Sequence, residues 1–395
     1  MAGLDSDPDP DADFDPDRVR TSRTERALRV VRDALAERDA VAFVHAGDDA
    51  DSAVFGAEGV VVTADRAVGL VVDSADATTS GPESSGVDGD LTLRTADDPP
   101  EAVARLAHEL TPGPTGTVLT PRAVRHDTAL FLERAGFDVA STAAVADARA
   151  TKTPAEREAL RRLGSTVEGV VDRTVDRLAA DDWPDRVDTE AETRGHDGDA
   201  GPAPTTTRLR RAVAVELARG GVGAADTRVR GVDGRVVPGR PVVVDCRPRG
   251  PDGSRLRAAW TLVVDGDGGW ERRAHVALEA AHRAGRGRLA AALDGETETA
   301  GGVAGEVRAE LTAYGFEEPT VAVYGVGLSA RESPRGGDRI DAGQAVVVAA
   351  SVTRAADGTA SADRRTDRVT RVKPLLLDER GGVERLVSLP SSLSL

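Results

Sequence analysis

Lysine is nearly absent from this chain: Lys152 and Lys373 are the only two in 395 residues. Arginine supplies the rest of the basic charge, and Asp plus Glu outnumber Lys plus Arg by 67 to 51, a formal net charge of −16. An acidic excess with arginine in lysine's place predicts a surface adapted to high salt, where screening removes most self-repulsion. The expectation is a halophile's cytoplasmic protein. No basic stripe is visible in the sequence, which excludes nucleic acid as a partner. No apolar run reaches the length of about 18 residues that a membrane span needs, and the first twenty residues lack the apolar segment of a secretory signal. Cysteine is confined to Cys246. Neither a disulfide framework nor a thiolate metal site can form, and a lone Cys in an apolar strand reads as a small buried hydrophobe.

The six histidines, His45, His108, His126, His196, His275 and His282, show no metal-ligand spacing. His275 and His282 share a helix face, but two turns, about 10 Å, is too far for one ion. No GxSxG elbow exists. Gly325-Val-Gly327 lacks the third glycine and the following helix of a phosphate loop, which excludes nucleotide binding through it. The Asp pairs at 48–51, 97–98 and 181–182 read as solvated loop residues in so acidic a chain.

Residues 1–21 are Asp- and Pro-rich and read as a disordered acidic tail. Ordered structure is expected from Ser22, where Ser22 and Glu25 fit a capping box ahead of Leu28, Val31 and Leu35. Short β-branched runs at 41–45, 59–64, 67–73 and 117–120, a loop at 78–90, and a helical pattern over 124–135 make residues 22–146 a small α/β domain. A sharper start follows: Thr153, Pro154 and Glu156 supply an N-cap, a proline at the first helical position and a capping-box partner. The stripe Leu160, Leu163, Val167, Val171, Val175, Leu178 then predicts a long helix. Residues 181–207 carry no stripe and read as a mobile acidic insertion. Beyond a helix at Leu209, Val213 and Leu217, the runs 241–246 and 260–264 read as a hairpin. Helices at 271–293 and 302–314 and strands at 320–324, 345–352, 373–378 and 384–389 complete the chain. The order helices, hairpin, helices, strands suggests a duplicated α+β unit.

The string VYGVGLSARESP at Val323–Pro334 resembles the GHGIGLxxHExP signature of the pita-bread metallopeptidases, the creatinase, prolidase and aminopeptidase P family. Gly325, Val326, Gly327, Leu328, Glu332 and Pro334 keep the frame, whereas Tyr324 and Arg331 stand where that family has its two histidines. Four further strings occur in the family's order. Residues 147–168 resemble its opening helix, 236–249 the strand bearing its first metal-binding aspartate, 339–351 the strand bearing a glutamate ligand, and 378–390 the tail after the last glutamate. The resemblance implies an α+β protein: a pita-bread domain at 147–395 behind a smaller creatinase-type α/β domain.

That family holds two divalent ions (manganese, cobalt, iron or zinc) between two Asp, one His and two Glu. Carried over position by position, the resemblance puts Asp245 at the first aspartate, Ala259 at the second, Tyr324 at the histidine, Ala349 at one glutamate and Val372 at the other. Arg228 falls near the substrate-side histidine. One ligand of five survives, so neither a metal cofactor nor catalytic residues are expected. Asp245 would need a cation, which Arg228 or Arg331 could supply. Trp260 reads by default as a core-packing residue, with a peptide-binding place in the cleft as the alternative; the candidate cleft residues are then Arg228, Asp245, Trp260, Tyr324, Arg331 and Glu332. The implied function is a non-catalytic binding or assembly protein, a pseudoenzyme of the peptidase family, with a peptide as ligand. Two alternatives stay open: an aminopeptidase P- or prolidase-like enzyme with relocated ligands, and a structural subunit paired with an active paralogue. A homodimer or a heterodimer with a paralogue is expected.

Overall fold

The computed structural model describes residues 14–72, 91–111, 113, 116–179, 205–223, 226–266, 268–354, 367–378, 380 and 382–392. The acidic tail before residue 14, the loop expected at 78–90 and residues 181–204 of the expected insertion lie outside them. The chain divides into two compact units, Met1–Ala159 and Leu160–Leu395.

The first unit opens with helix α1 (Pro16–Glu37), which starts ahead of the expected Ser22. Asp15 caps it by accepting the Asp17 amide, Pro16 fills the first turn, and Val19 buries one turn before Arg23 and Ala27. Residues 16–21 are therefore helix, a correction to the expected tail. The acidic, proline-bearing composition that suggested disorder also makes a good helix N-terminus. Six strands follow: β1 (Ala42–Ala46), β2 (Gly59–Val62), β3 (Ala67–Val71), β4 (Leu91–Thr95), β5 (Thr117–Pro121) and β6 (Asp138–Thr142). They form a mixed sheet in the order β4-β3-β2-β1-β5-β6, with β1–β5, β5–β6 and β3–β4 parallel. Helices α2 (Ala50–Phe55), α3 (Pro99–Leu110) and α4 (His126–Arg134) connect strands, and α5 (Ala144–Ala150) follows β6.

Helix α6 (Pro154–Ala179) begins as the sequence predicts. The Thr153 hydroxyl accepts the Glu156 amide at 3.2 Å, and the Glu156 carboxylate accepts the Thr153 amide at 2.9 Å. Arg23 of α1 donates to the same carboxylate at 2.8 Å, with both side chains nearly fully buried. The compact units divide inside this helix, between Ala159 and Leu160.

In the second unit the remainder of α6 pairs with α7 (Thr206–Arg219), and the second helix pair is α8 (Trp270–Leu293) with α9 (Ala300–Ala313). The strands are β7 (Arg228–Arg230), β8 (Val242–Cys246), β9 (Ala258–Leu262), β10 (Thr320–Gly325), β11 (Glu332–Arg335), β12 (Ala345–Thr353), β13 (Arg368–Leu377) and β14 (Val383–Arg385). They make one sheet in the order β11-β10-β12-β13-β9-β8-β7, with β14 on β13, and the described pairs are antiparallel. The expected hairpin is β8–β9. Helices then strands occur twice, the order expected of a duplicated unit. Val244 and Trp260 pack into one core with Leu160, Val167, Val213 and Leu217. Val346, Val348 and Leu375 pack into another with Leu278, Val303 and Val307. Gly325 is needed where β10 meets β11, because a Cβ there would run into the Ser333 carbonyl.

Candidate functional site

The register of the larger sheet brings the separately placed positions together. Asp245 lies opposite Ala259, Ala259 opposite Val372, Val372 opposite Ala349, and Ala349 opposite Ala322. In-register partners on neighbouring strands share a face, and side chains two residues apart do too. Tyr324, two residues beyond Ala322, therefore joins the row. Asp245, Ala259, Val372, Ala349 and Tyr324, from five separate strands, converge on one face, an arrangement that spacing alone could not show.

Asp245 is the one carboxylate in that row, and two arginines hold it. Arg257 donates from Nε and Nη2, both at 2.9 Å, and Arg247 donates from Nη2 at 2.9 Å and Nε at 3.3 Å. Burial would raise the Asp245 pKa, but hydrogen bonds from Arg257 and Arg247 outweigh it and hold the carboxyl below its ordinary value. Arg257 also donates to the Tyr324 hydroxyl at 2.8 Å, and the Arg331 guanidinium lies over the Tyr324 ring, 4.7 Å from its centroid.

The cation on Asp245 is thus neither Arg228 nor Arg331, a correction with a geometric cause. Arg247 and Arg257 each lie two residues from a member of the row, Asp245 and Ala259, just beyond the ends of β8 and β9, and so fall on the same face at the loop end of the hairpin. Arg331 is engaged with Tyr324, and Arg228 is exposed directly opposite Asp245. Trp260 takes the core-packing role and not the alternative place in the cleft. It pairs with Val244 on the other face of β9 and is fully buried. Glu332 is buried on β11, its carboxylate accepting the Ser329 amide at 3.4 Å.

Above the row lies a cavity of about 570 Å³. Ala322, Ala349 and Val372 supply apolar lining, while Arg228, Arg230, Arg247, Arg257, Arg331 and Arg368 supply charge. A second cavity of about 270 Å³ shares Arg247, Arg257 and Arg331 and also touches Tyr324. The sequence reading missed Arg230, Arg247, Arg257 and Arg368. Once the β8–β9 hairpin is in register, strand alternation finds Arg247 and Arg257, so that signal was present.

Cys246 is fully buried beside this site, and burial pushes its thiol up to about 12, which makes it a packing residue. His275 and His282 do share a face of α8. Their Nε2 atoms lie 2.8 Å from the Ser391 carbonyl and 3.2 Å from the Arg371 carbonyl. Both are buried, and burial takes His282 down to about 3. Among the described residues, no group of three or more His, Cys, Asp or Glu is arranged to hold a metal ion, and no helix is long and apolar enough to cross a membrane.

No family model matches the sequence, and no curated protein matches it significantly. Solved structures do match. A Xaa-Pro dipeptidase from Bacillus anthracis is 14% identical with a TM-score of 0.69, covering 94% of this chain and 100% of that one. The prolidase from Pyrococcus horikoshii OT3 is 12% identical with a TM-score of 0.67, covering 93% and 99%. This is the prolidase fold. The N-terminal domain of a FACT complex subunit from chickpea, Cicer arietinum, matches equally well at 11% identity and a TM-score of 0.67, covering 96% and 99%. The prolidase fold thus also serves a protein described as a complex subunit.

The pair of divalent ions expected of this fold's peptidases does not fit these residues. Two cations about 3.5–4 Å apart repel and need bridging carboxylates. The row offers one, already accepting four N–H groups from two guanidinium ions. Adding divalent charge beside Arg247, Arg257 and Arg331 would set like charges against each other at short range.

Proposed function

We propose that this chain is a non-catalytic protein of the prolidase fold, a binding or assembly protein in which the hydrolytic centre has become an arginine-lined cleft. The observation that carries this reading is Asp245 clamped by Arg247 and Arg257 in a row otherwise made of Ala259, Val372, Ala349 and Ala322. The substitutions are mutually consistent. Removing metal from a site that kept all its carboxylates would leave buried like charges, costing several kcal/mol. Small apolar side chains avoid that cost, and two arginines neutralise the one carboxylate left. Assembly as a homodimer or with a catalytic paralogue, in a high-salt cytoplasm, belongs to the same reading.

The test is hydrolysis of Xaa-Pro dipeptides and of longer peptides with proline second. The purified chain would be assayed at high salt with added manganese, cobalt or zinc. The expected result is no turnover above a metal-only control. Metal-dependent turnover that is lost in Asp245→Ala would overturn the proposal and restore the relocated-ligand enzyme.

A further inference from the structure

The charge of the cleft runs against the charge of the chain. Acidic residues exceed basic ones by 16 overall, yet the larger cavity is lined by six arginines against two carboxylates, Asp245 and Asp367. Both carboxylates are already committed. Asp245 is bound by Arg247 and Arg257, and Asp367 accepts from Arg240 at 2.7 and 2.9 Å. The side chains of Arg228, Arg230, Arg331 and Arg368 make no ion pair or hydrogen bond among the described residues, and that of Arg331 stacks on Tyr324. On a chain this acidic, four such guanidinium groups facing one concavity concentrate positive charge there.

Their placement is set by the strands. Arg228 and Arg230 alternate onto the cleft face of β7, with Val229 between them packed toward the core. Arg368, Thr370 and Val372 do the same on β13. The two strands are three steps apart in the sheet, at most about 14 Å at ordinary strand spacing. Arg228 and Arg230 therefore stand on the β7 side of an apolar floor of Ala322, Ala349 and Val372, with Arg368 along β13 beside Val372 and Arg331 beyond β10 on the far side.

We propose that this cleft binds a small organic anion carrying two or more negative groups, carboxylate or phosphate, with its body over the apolar floor. The cavity has the size of a small-molecule site. Guanidinium forks suit both carboxylate and phosphate oxygens through paired hydrogen bonds. The inference rests on the reading of the cleft as a metal-free binding site.

The experiment titrates the full chain with citrate and, separately, with pyrophosphate, by calorimetry. It is run at the lowest salt that keeps a cooperative melting transition, because screening weakens such contacts. Wild type is compared with Arg228→Gln/Arg230→Gln, two exposed positions whose loss leaves the core intact, and with Arg272→Gln on α8 as a control. The expected result is saturable binding of at least one probe, weakened tenfold or more in the double variant and unchanged in the control. Binding of citrate alone assigns a polycarboxylate, binding of pyrophosphate alone assigns a phosphate ester, and binding of both assigns recognition by charge. Failure of both probes to bind wild type, or equal binding by the double variant, overturns the proposal. Metal content measured on the same sample separates the two readings. Stoichiometric metal sinks the non-catalytic function itself, whereas metal-free protein that binds neither probe sinks only the anion site.

Discussion

Asp245→Asn lowers stability by on the order of 2–4 kcal/mol, a fall of about 5–15 °C in melting temperature for a unit of this size. The wild-type carboxylate accepts four N–H groups from two arginines and is 15% exposed, against 18% for Arg257 and 28% for Arg247. Asparagine keeps the shape but loses the charge, so two part-buried guanidinium ions face each other with one acceptor between them. Residual solvent access holds the cost below that of a fully buried pair. The pH dependence has a definite sign. The folded-state pKa of Asp245 is depressed, so its contribution is complete above the ordinary carboxylate value near 3.8 and is lost as pH falls through the lower folded value. The difference between wild type and Asp245→Asn therefore shrinks in acid. Thermal unfolding in about 2–4 M salt, where surface pairs are screened, measures both effects, and an unchanged melting temperature at neutral pH would refute the clamp.

Glu279→Gln is the second large effect, of about 2–3 kcal/mol. Glu279 on α8 pairs with Arg371 and with Lys373 at 2.8 Å, both reaching from the α8 side of β13. Arg371 is 4% exposed. Burial would raise the Glu279 carboxyl, but the charges of Arg371 and Lys373 outweigh it and hold it low. Without the carboxylate, two cations remain beside His282, which burial and its cationic neighbours keep neutral. Lys373 offers a partial escape. Burial, with the charge of Arg371, already takes it down from 10.5 to about 8. A base with a lowered folded pKa costs stability below that value, and the cost disappears as pH rises toward the unfolded value. Loss of Glu279 lowers the Lys373 pKa further, so the deficit of Glu279→Gln narrows between pH 7 and about pH 10. Chemical unfolding at both pH values checks this, and a deficit equal at the two would show that Lys373 stays charged.

Much of the fold was legible because apolar periodicity and caps carried it. The Thr153–Glu156 box, the α6 stripe and the β8–β9 hairpin all read directly from residue order. The short elements did not. β7 is three residues of Arg-Val-Arg and β11 contains a proline, so neither shows a strand's apolar alternation. At the site, the resemblance placed Asp245, Ala259, Tyr324, Ala349 and Val372, and sheet register brought them into one row. What it could not supply was the partner of Asp245. A ligand pattern records the positions a family uses for metal and says nothing of the neighbours recruited afterwards. Arg247 and Arg257 followed from strand alternation, whereas Arg368 needed the position of β13 across the sheet. The same alternation puts Trp260, one residue from the row, on the opposite face, where it takes its default role in the core.

The central claim is that Asp245 serves two arginines and no metal ion. The most direct measurement is the number of divalent ions retained per chain after the folded protein is equilibrated with manganese, cobalt or zinc at high salt and freed of unbound ion. Elemental analysis would be run on wild type and on Asp245→Ala. The expected result is substoichiometric metal in both, with no difference between them. One or two ions per wild-type chain, lost in Asp245→Ala, would contradict it.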